Sequence, residues 1–179
     1  MAYGRTVRRG GACNRLVEPH WADPLDTSYS KETGGRWNAP GSYGVLYLNA
    51  TAHMARLRVE HRLAGHPYDI EDLDPAEQHD LVDVDVQETD VLDLVSADGL
   101  QAVNLPVSYP DDAHGDPIEH AQCQPIGQAA YDEPLPGIAC RSATPAAAGE
   151  EELAIFDRDV AIVTQSSRRP FTDWYFGEH

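Results

Sequence analysis

Val82, Val84 and Val86 alternate with Asp83 and Asp85, and a period of two fits a strand with one dry face and one wet face. This strand lies within residues 69–98, which carry twelve acidic side chains and no Lys or Arg. Val91 to Leu94 reads as the start of a second short element. The acidic run itself reads as solvated surface and loops. It lacks the spacing of a twelve-residue calcium loop. Docking of a basic partner is an alternative that charge alone does not decide.

The chain has 179 residues, enough for one domain with a hydrophobic core and a short tail, and 41% of them are apolar, too many for a disordered acidic chain. Its net charge of −17 argues against wrapping nucleic acid. No apolar run has the length of a membrane span, so a soluble, cytoplasmic protein that does not engage a membrane is expected. Cys13, Cys123 and Cys140 are odd in number and widely spaced, which predicts reduced thiols.

The charge is segregated. Residues 1–62 hold nine basic and five acidic side chains, whereas residues 63–160 hold two basic and 23 acidic ones. Eight of the nine early cations are arginines, suited to bidentate contacts with phosphate or carboxylate. An acidic protein of this kind can still hold a cationic pocket for a small anion.

Short elements are expected throughout. Cys13 to Val17 reads as a strand, and Pro19 to Asn38 as a long irregular loop packed by Trp21, Tyr29 and Trp37. Val45 to Leu48 reads as a buried strand. A helix then starts at Asn49 or Thr51 and runs to Leu63, with its stripe on Ala52, Ala55, Val59 and Leu63. Ile118 to Tyr131 reads as a helix that Pro125 kinks or splits. Gly137–Arg141, Leu153–Phe156 and Val160–Thr164 read as strands. The fold class is α+β, with one compact domain over residues 1–165 and a C-terminal tail over 166–179 that packs on it or on a partner.

No P-loop, dinucleotide-binding glycine fingerprint, HExxH or nucleophile elbow is present. His20, His53, His61, His66, His79, His114, His120 and His179 show no metal-ligand spacing. His114, His120, Glu119 and Cys123 would bind a metal only if folding joined them, and no metal is assigned. The informative stretch is Gly34–Gly35–Arg36–Trp37–Asn38–Ala39–Pro40–Gly41, followed by Tyr47 on a strand. Its glycines permit close backbone approach, Arg36 supplies a donor fork, and Trp37 supplies an aromatic face for packing or base stacking.

With Val45–Leu46–Tyr47–Leu48 behind it, this stretch resembles the RES domain family. Arg15–Leu16, Trp21, Asp23–Pro24–Leu25 and Tyr29 support the likeness upstream. Gly137 to Ala143 and Leu153 to Phe156 support it downstream, so the resemblance spans about residues 12–158. It implies a fold like that of ADP-ribosyltransferases of the diphtheria-toxin type. It also implies a toxin that degrades NAD by hydrolysis or phosphorolysis, with inorganic phosphate as co-substrate in the second case and no further cofactor. The implied partner is a helical Xre-type antitoxin, and a homodimer is a further option. Matched by motif, the family's site residues fall on Arg15, Arg36, Tyr47 and Ser142.

The resemblance departs at one position. The family places a glutamate eleven residues past the tyrosine, and here that residue is Arg58. The nearest carboxylate, Glu60, sits about 200° further round a helix and is expected at the surface beside Arg56. Arg15, Arg36, Trp37, Tyr47, Arg58 and Ser142 are therefore the candidate binding residues, and Arg36, Tyr47, Ser142 and Glu60 the candidate catalytic ones. The alternatives are a RES-like protein that binds NAD without efficient turnover, or an ADP-ribosyltransferase.

Overall fold

The structure, a computed structural model, describes residues 3–177; Met1, Ala2, Glu178 and His179 lie outside the described residues. The alternating valines fall in strand β3 (Asp80–Leu94), which pairs antiparallel along its length with β1 (Thr6–Val17). Both strands exceed expectation: β1 starts well before Cys13, and Val91–Leu94 continues β3 instead of opening a new element. A register shift between Arg9 and Gly11, where Gly11 takes φ +86°, absorbs the twist of so long a ribbon.

The remaining strands are β2 (Val45–Asn49), β4 (Gly137–Arg141), β5 (Glu151–Phe156) and β6 (Val163–Arg169). The order is β1-β2-β5-β4-β3-β6, and the β1–β3 pairing closes the first five into a ring. Among the described residues only β3–β4 is parallel. The helices are α1 (Ser28–Thr33), α2 (Ala52–Leu63), α3 (Ala97–Ala102), α4 (His120–Asp132) and α5 (Phe171–Tyr175). The fold is thus a single α+β domain built on a mixed six-stranded sheet.

Several expectations are corrected. The Pro19–Asn38 segment contains α1, and α3 follows β3 where no helix was expected. Pro125 does not split α4, because only one turn precedes it and the lost hydrogen bond falls there. Val160 lies in a 3-10 segment (Asp157–Ile162), and the strand begins at Val163. It continues through Arg169, so the chain past residue 165 enters the sheet. Thr51 caps α2 as expected, its side chain accepting from the Met54 amide.

Three apolar clusters hold these elements. Leu46, Leu48, Val82, Val84, Leu153 and Ile155 fill the space inside the ring. Ala55 and Val59 of α2 pack with Leu81 and with Phe171, Trp174 and Tyr175 of α5, which seats the C-terminal aromatics on the body. The third cluster lies on the opposite face of β2, β5 and β4, where Val45, Ala154, Phe156, Ile138 and Cys140 pack beneath Trp37, Tyr109 and α4.

Four of the twelve carboxylates of the acidic run are matched by arginines brought from elsewhere in the chain, Glu88 by Arg8 among them. Arg168 pairs with Asp80 at 2.7 Å, Arg169 with Asp83 at 3.1 Å, and Arg5 with Asp98 at 2.9 Å. The exposed pair of Arg5 and Asp98 contributes at most about 1 kcal/mol, whereas Arg168 and Asp80 are mostly buried.

Helix α4 approaches the Gly34–Gly41 segment so closely that a methyl group on Gly127 would overlap the Trp37 carbonyl oxygen. Helix propensity alone would make Gly127→Ala stabilising by about 1 kcal/mol. The overlap reverses the sign, and urea unfolding of Gly127→Ala should show a loss of about 3 kcal/mol.

Candidate active site

The Gly34–Gly41 segment is a closed turn whose polar groups are turned inward. Gly34 takes φ +74° against the Pro40 ring, and the Gly35 amide donates to the Asn38 carbonyl at 2.9 Å. Asn38 is fully buried, and its Nδ2 donates to the carbonyls of Ser30 (2.7 Å) and Tyr43 (3.0 Å). The Tyr47 hydroxyl donates to Asn38 Oδ1 and accepts from the Trp37 amide, both at 3.0 Å. A Cβ at residue 35 would stand 2.5 Å from that hydroxyl, which explains the second glycine. Burial pushes the Tyr47 phenol well above its ordinary pKa, so it serves as a neutral donor.

Trp37 is completely enclosed. Its Nε1 donates to Cys140 Sγ at 3.4 Å, and its carbonyl accepts from the Tyr43 hydroxyl at 2.6 Å. In this fold its aromatic face packs the core and offers nothing to a base. Arg36 leaves the turn half-buried, and its Nη1 donates to the Ile118 carbonyl at 3.0 Å beside Cys123 at the start of α4. Helix α4 supports the turn from the same side, with Gln124 Nε2 donating to the Gly35 carbonyl at 3.0 Å. Burial, followed by the charge of Arg36, holds His120 below its ordinary pKa.

Strand alternation sets which side chains share this face. Tyr47 pairs with Ala154, while Asn49 and Cys140 both pair with Glu152, so Tyr47, Asn49, Cys140, Ala154 and Glu152 point the same way. Ser142 follows Cys140 by two residues and is fully buried. Its amide donates to the Glu150 carbonyl at 2.8 Å, and its hydroxyl accepts from the Thr144 amide at 3.1 Å. Burial raises the pKa of the Cys140 thiol strongly, making it an inert, neutral group.

Arg36, Tyr47, Trp37 and Ser142 thus gather on one sheet face. Arg58 joins them from α2 through an ion pair with Glu152, Nη2 lying 2.5 Å from Oε1. Arg15 and Glu60 do not join. Arg15 Nη1 donates to the carbonyls of Pro24 (2.6 Å) and Asp26 (3.1 Å) and stacks over Trp21, sharing no hydrogen-bond partner with Arg36. Burial lowers its pKa to about 10. Glu60 is exposed and accepts from the Tyr175 hydroxyl at 3.2 Å. It does not pair with Arg56, which stacks over the Tyr175 ring and donates to the Tyr175 carbonyl. The opposed directions of Arg58 and Glu60 follow from their two-residue separation on a helix.

Two residues of this face escaped the sequence reading. Tyr109 is 1% exposed and packs against Trp37 with ring centroids 6.0 Å apart, its hydroxyl unpartnered. Arg141 holds the segment by donating to the carbonyls of Val107 and Tyr109. Glu152 is buried although it ends a run of three glutamates. Its signal was the strand beginning at Glu151, which turns Glu151 toward Arg9 and Glu152 inward. Among the described residues, no three His, Cys, Asp or Glu side chains converge as a metal ion would require.

Comparison with known proteins agrees with this geometry. The chain is 30% identical over 133 residues to the NAD(+) phosphorylase MbcT of Mycobacterium tuberculosis strain H37Rv, covering 74% of this chain and 68% of that protein. The MbcT of Mycobacterium bovis matches to the same extent. The fold superposes with a TM-score of 0.75 and 25% identity on a chain in the crystal structure of the M. tuberculosis MbcT–MbcA toxin–antitoxin complex, covering 94% of this chain and 87% of that one. The RES domain matches residues 12–173, and with Tyr47 locking the glycine-rich turn beneath α4, the chain belongs to the RES domain family.

Proposed function

We propose that this protein is a toxin-like enzyme that cleaves the nicotinamide–ribose bond of NAD, with inorganic phosphate as the acceptor. The observation that carries the reading is the 30% identity to NAD(+) phosphorylase MbcT over 74% of this chain. In the reaction the C1′–N bond breaks and its electron pair leaves on the nicotinamide nitrogen. A phosphate oxygen then bonds to C1′, giving ADP-ribose 1″-phosphate and neutral nicotinamide.

The chain's groups suit this chemistry. Arg36 is a permanently charged fork at the edge of an apolar face and binds the pyrophosphate or the incoming phosphate. Tyr47 acts through the turn, since its hydroxyl fixes the backbone from which Arg36 projects. Ser142 hydrogen-bonds the carboxamide or ribose and is not a nucleophile, because no base stands beside it. Trp37 and Tyr109 keep the face dry, so NAD reaches it when the segment carrying Tyr109 moves aside. Arg15 organises the loop over residues 19–27 and acts on the substrate only through that loop.

Arg58, in the place of the family glutamate, favours a second reading in which NAD is bound and not turned over. A helical antitoxin of the Xre type is the proposed partner of either form, in line with the toxin–antitoxin complex that contains the structural relative.

Purified protein should release nicotinamide from NAD, and release should fall to background when phosphate is omitted. Arg36→Ala should lower that rate by about 100-fold or more. Tyr47→Phe leaves the buried Trp37 amide without an acceptor and should cost about 2 kcal/mol in urea unfolding along with activity. NAD binding without nicotinamide release would select the second reading.

A further inference from the structure

Four buried side-chain polar atoms among the described residues lack a hydrogen-bond partner: Asn49 Oδ1, Arg58 Nε, Tyr109 Oη and Glu152 Oε1. Buried polar groups are normally satisfied, and each one that is not calls for an explanation. Asn49 and Glu152 are register partners on one face, and Arg58 is ion-paired to Glu152. Tyr109 lies against Trp37, which donates to Cys140, the other register partner of Glu152. The orphans therefore belong to the face that carries Tyr47 and Arg36.

The pair at its centre is close but poorly aligned. Arg58 Nη2 stands 2.5 Å from Glu152 Oε1, yet neither that oxygen nor the Arg58 Nε makes a directed hydrogen bond. The side chain of Glu152 is 10% exposed and that of Arg58 31%. Asp93 is the other buried carboxylate among the described residues, and its oxygens are occupied by the amides of Val95 and Ser96 and the Ser96 hydroxyl, which seat α3. Glu152 instead meets Arg58 of α2.

We propose that Glu152 is the carboxylate that faces the ribosyl cation, and that Arg58 neutralises it in the unliganded fold. This rests on the reading of the site as one that cleaves NAD. As the C1′–N bond breaks, positive charge passes from the nicotinamide ring to the ribose, and an anion fixed on a dry face stabilises that charge without reorganising. Glu152 forms no bond to the sugar. The incoming phosphate supplies the electron pair for the new C1′–O bond. The negative group thus enters from β5, while the helix position that the family gives to glutamate supplies the cation. Arg58 is then compatible with turnover and is a positioning residue.

The test compares wild type with Glu152→Gln and with the double variant Arg58→Met/Glu152→Met, using nicotinamide release, NAD affinity and thermal unfolding. Glu152→Gln should lose about 100-fold in kcat, with NAD affinity within about threefold of wild type. An apolar pair of similar volume commonly preserves or raises stability where a buried ion pair stood. The double variant should therefore fold and remain as inactive as Glu152→Gln, so the conclusion survives even if the single variant fails to fold. A purely structural pair predicts the opposite, namely wild-type kcat in the folded double variant, and that result overturns the assignment. Glu152→Gln with wild-type kcat overturns it too. In both cases wild-type nicotinamide release leaves the NAD reading standing. A wild-type protein that releases no nicotinamide overturns both.

Discussion

The Tyr47 hydroxyl is the point on which the site depends. It accepts from the Trp37 amide and donates to Asn38, joining β2 to a turn that has no regular structure of its own. Asn38 in turn binds the carbonyls of Ser30 and Tyr43, so α1, the turn and the approach to β2 share one hydrogen-bond network. A buried network in which each member is satisfied fixes one geometry, because any displacement leaves several polar groups unpaired. The close contact of Gly127 with the Trp37 carbonyl clamps the turn from α4. Arg36 is thereby projected from a rigid base.

Charge is handled differently on the two sides of the sheet. On the outer surface, carboxylates of β3 meet arginines of β6, and the Arg168 fork is fully used, since it also donates to the carbonyls of Glu18, Pro19 and Trp21. On the face beneath Trp37 and Tyr109, the Arg58–Glu152 pair lies among apolar groups with imperfect hydrogen bonding. Burying such a pair costs desolvation that Coulomb attraction only partly offsets, so it is weak as a stabilising device. Its presence on the face that carries Tyr47 and Ser142 is more readily explained by chemistry than by stability.

The fold shared with a chain of the MbcT–MbcA complex extends over 94% of this chain and 87% of that one. Arg58 lies within the residues that the RES domain matches. The Arg58 cation on α2 is accommodated because β5 brings a carboxylate to meet it, which makes the local charge balance a property of the helix and strand together.

The residues 34–41, the capped helix after Thr51 and the alternating valines were legible because each signal is local: turn glycines, a capping oxygen and a period of two. They determined an α+β chain with a basic early third and placed Arg36 and Tyr47 near one another. Distances across the chain were not legible. Arg15 and Arg36 carry the same charge, yet the carbonyls of Pro24 and Asp26 hold one and the Ile118 carbonyl ahead of α4 holds the other. Glu60 was expected beside Arg56, but the C-terminal Tyr175 takes up both side chains. Glu152 was hidden in a run of three glutamates, since composition does not show which face a strand residue takes until its register is set. The sequence by itself determined the turn, its arginine and the tyrosine strand behind it. Only the tertiary structure decided which carboxylate meets that face, because the pairing of β2, β5 and β4 and the approach of α2 join residues that no local pattern connects.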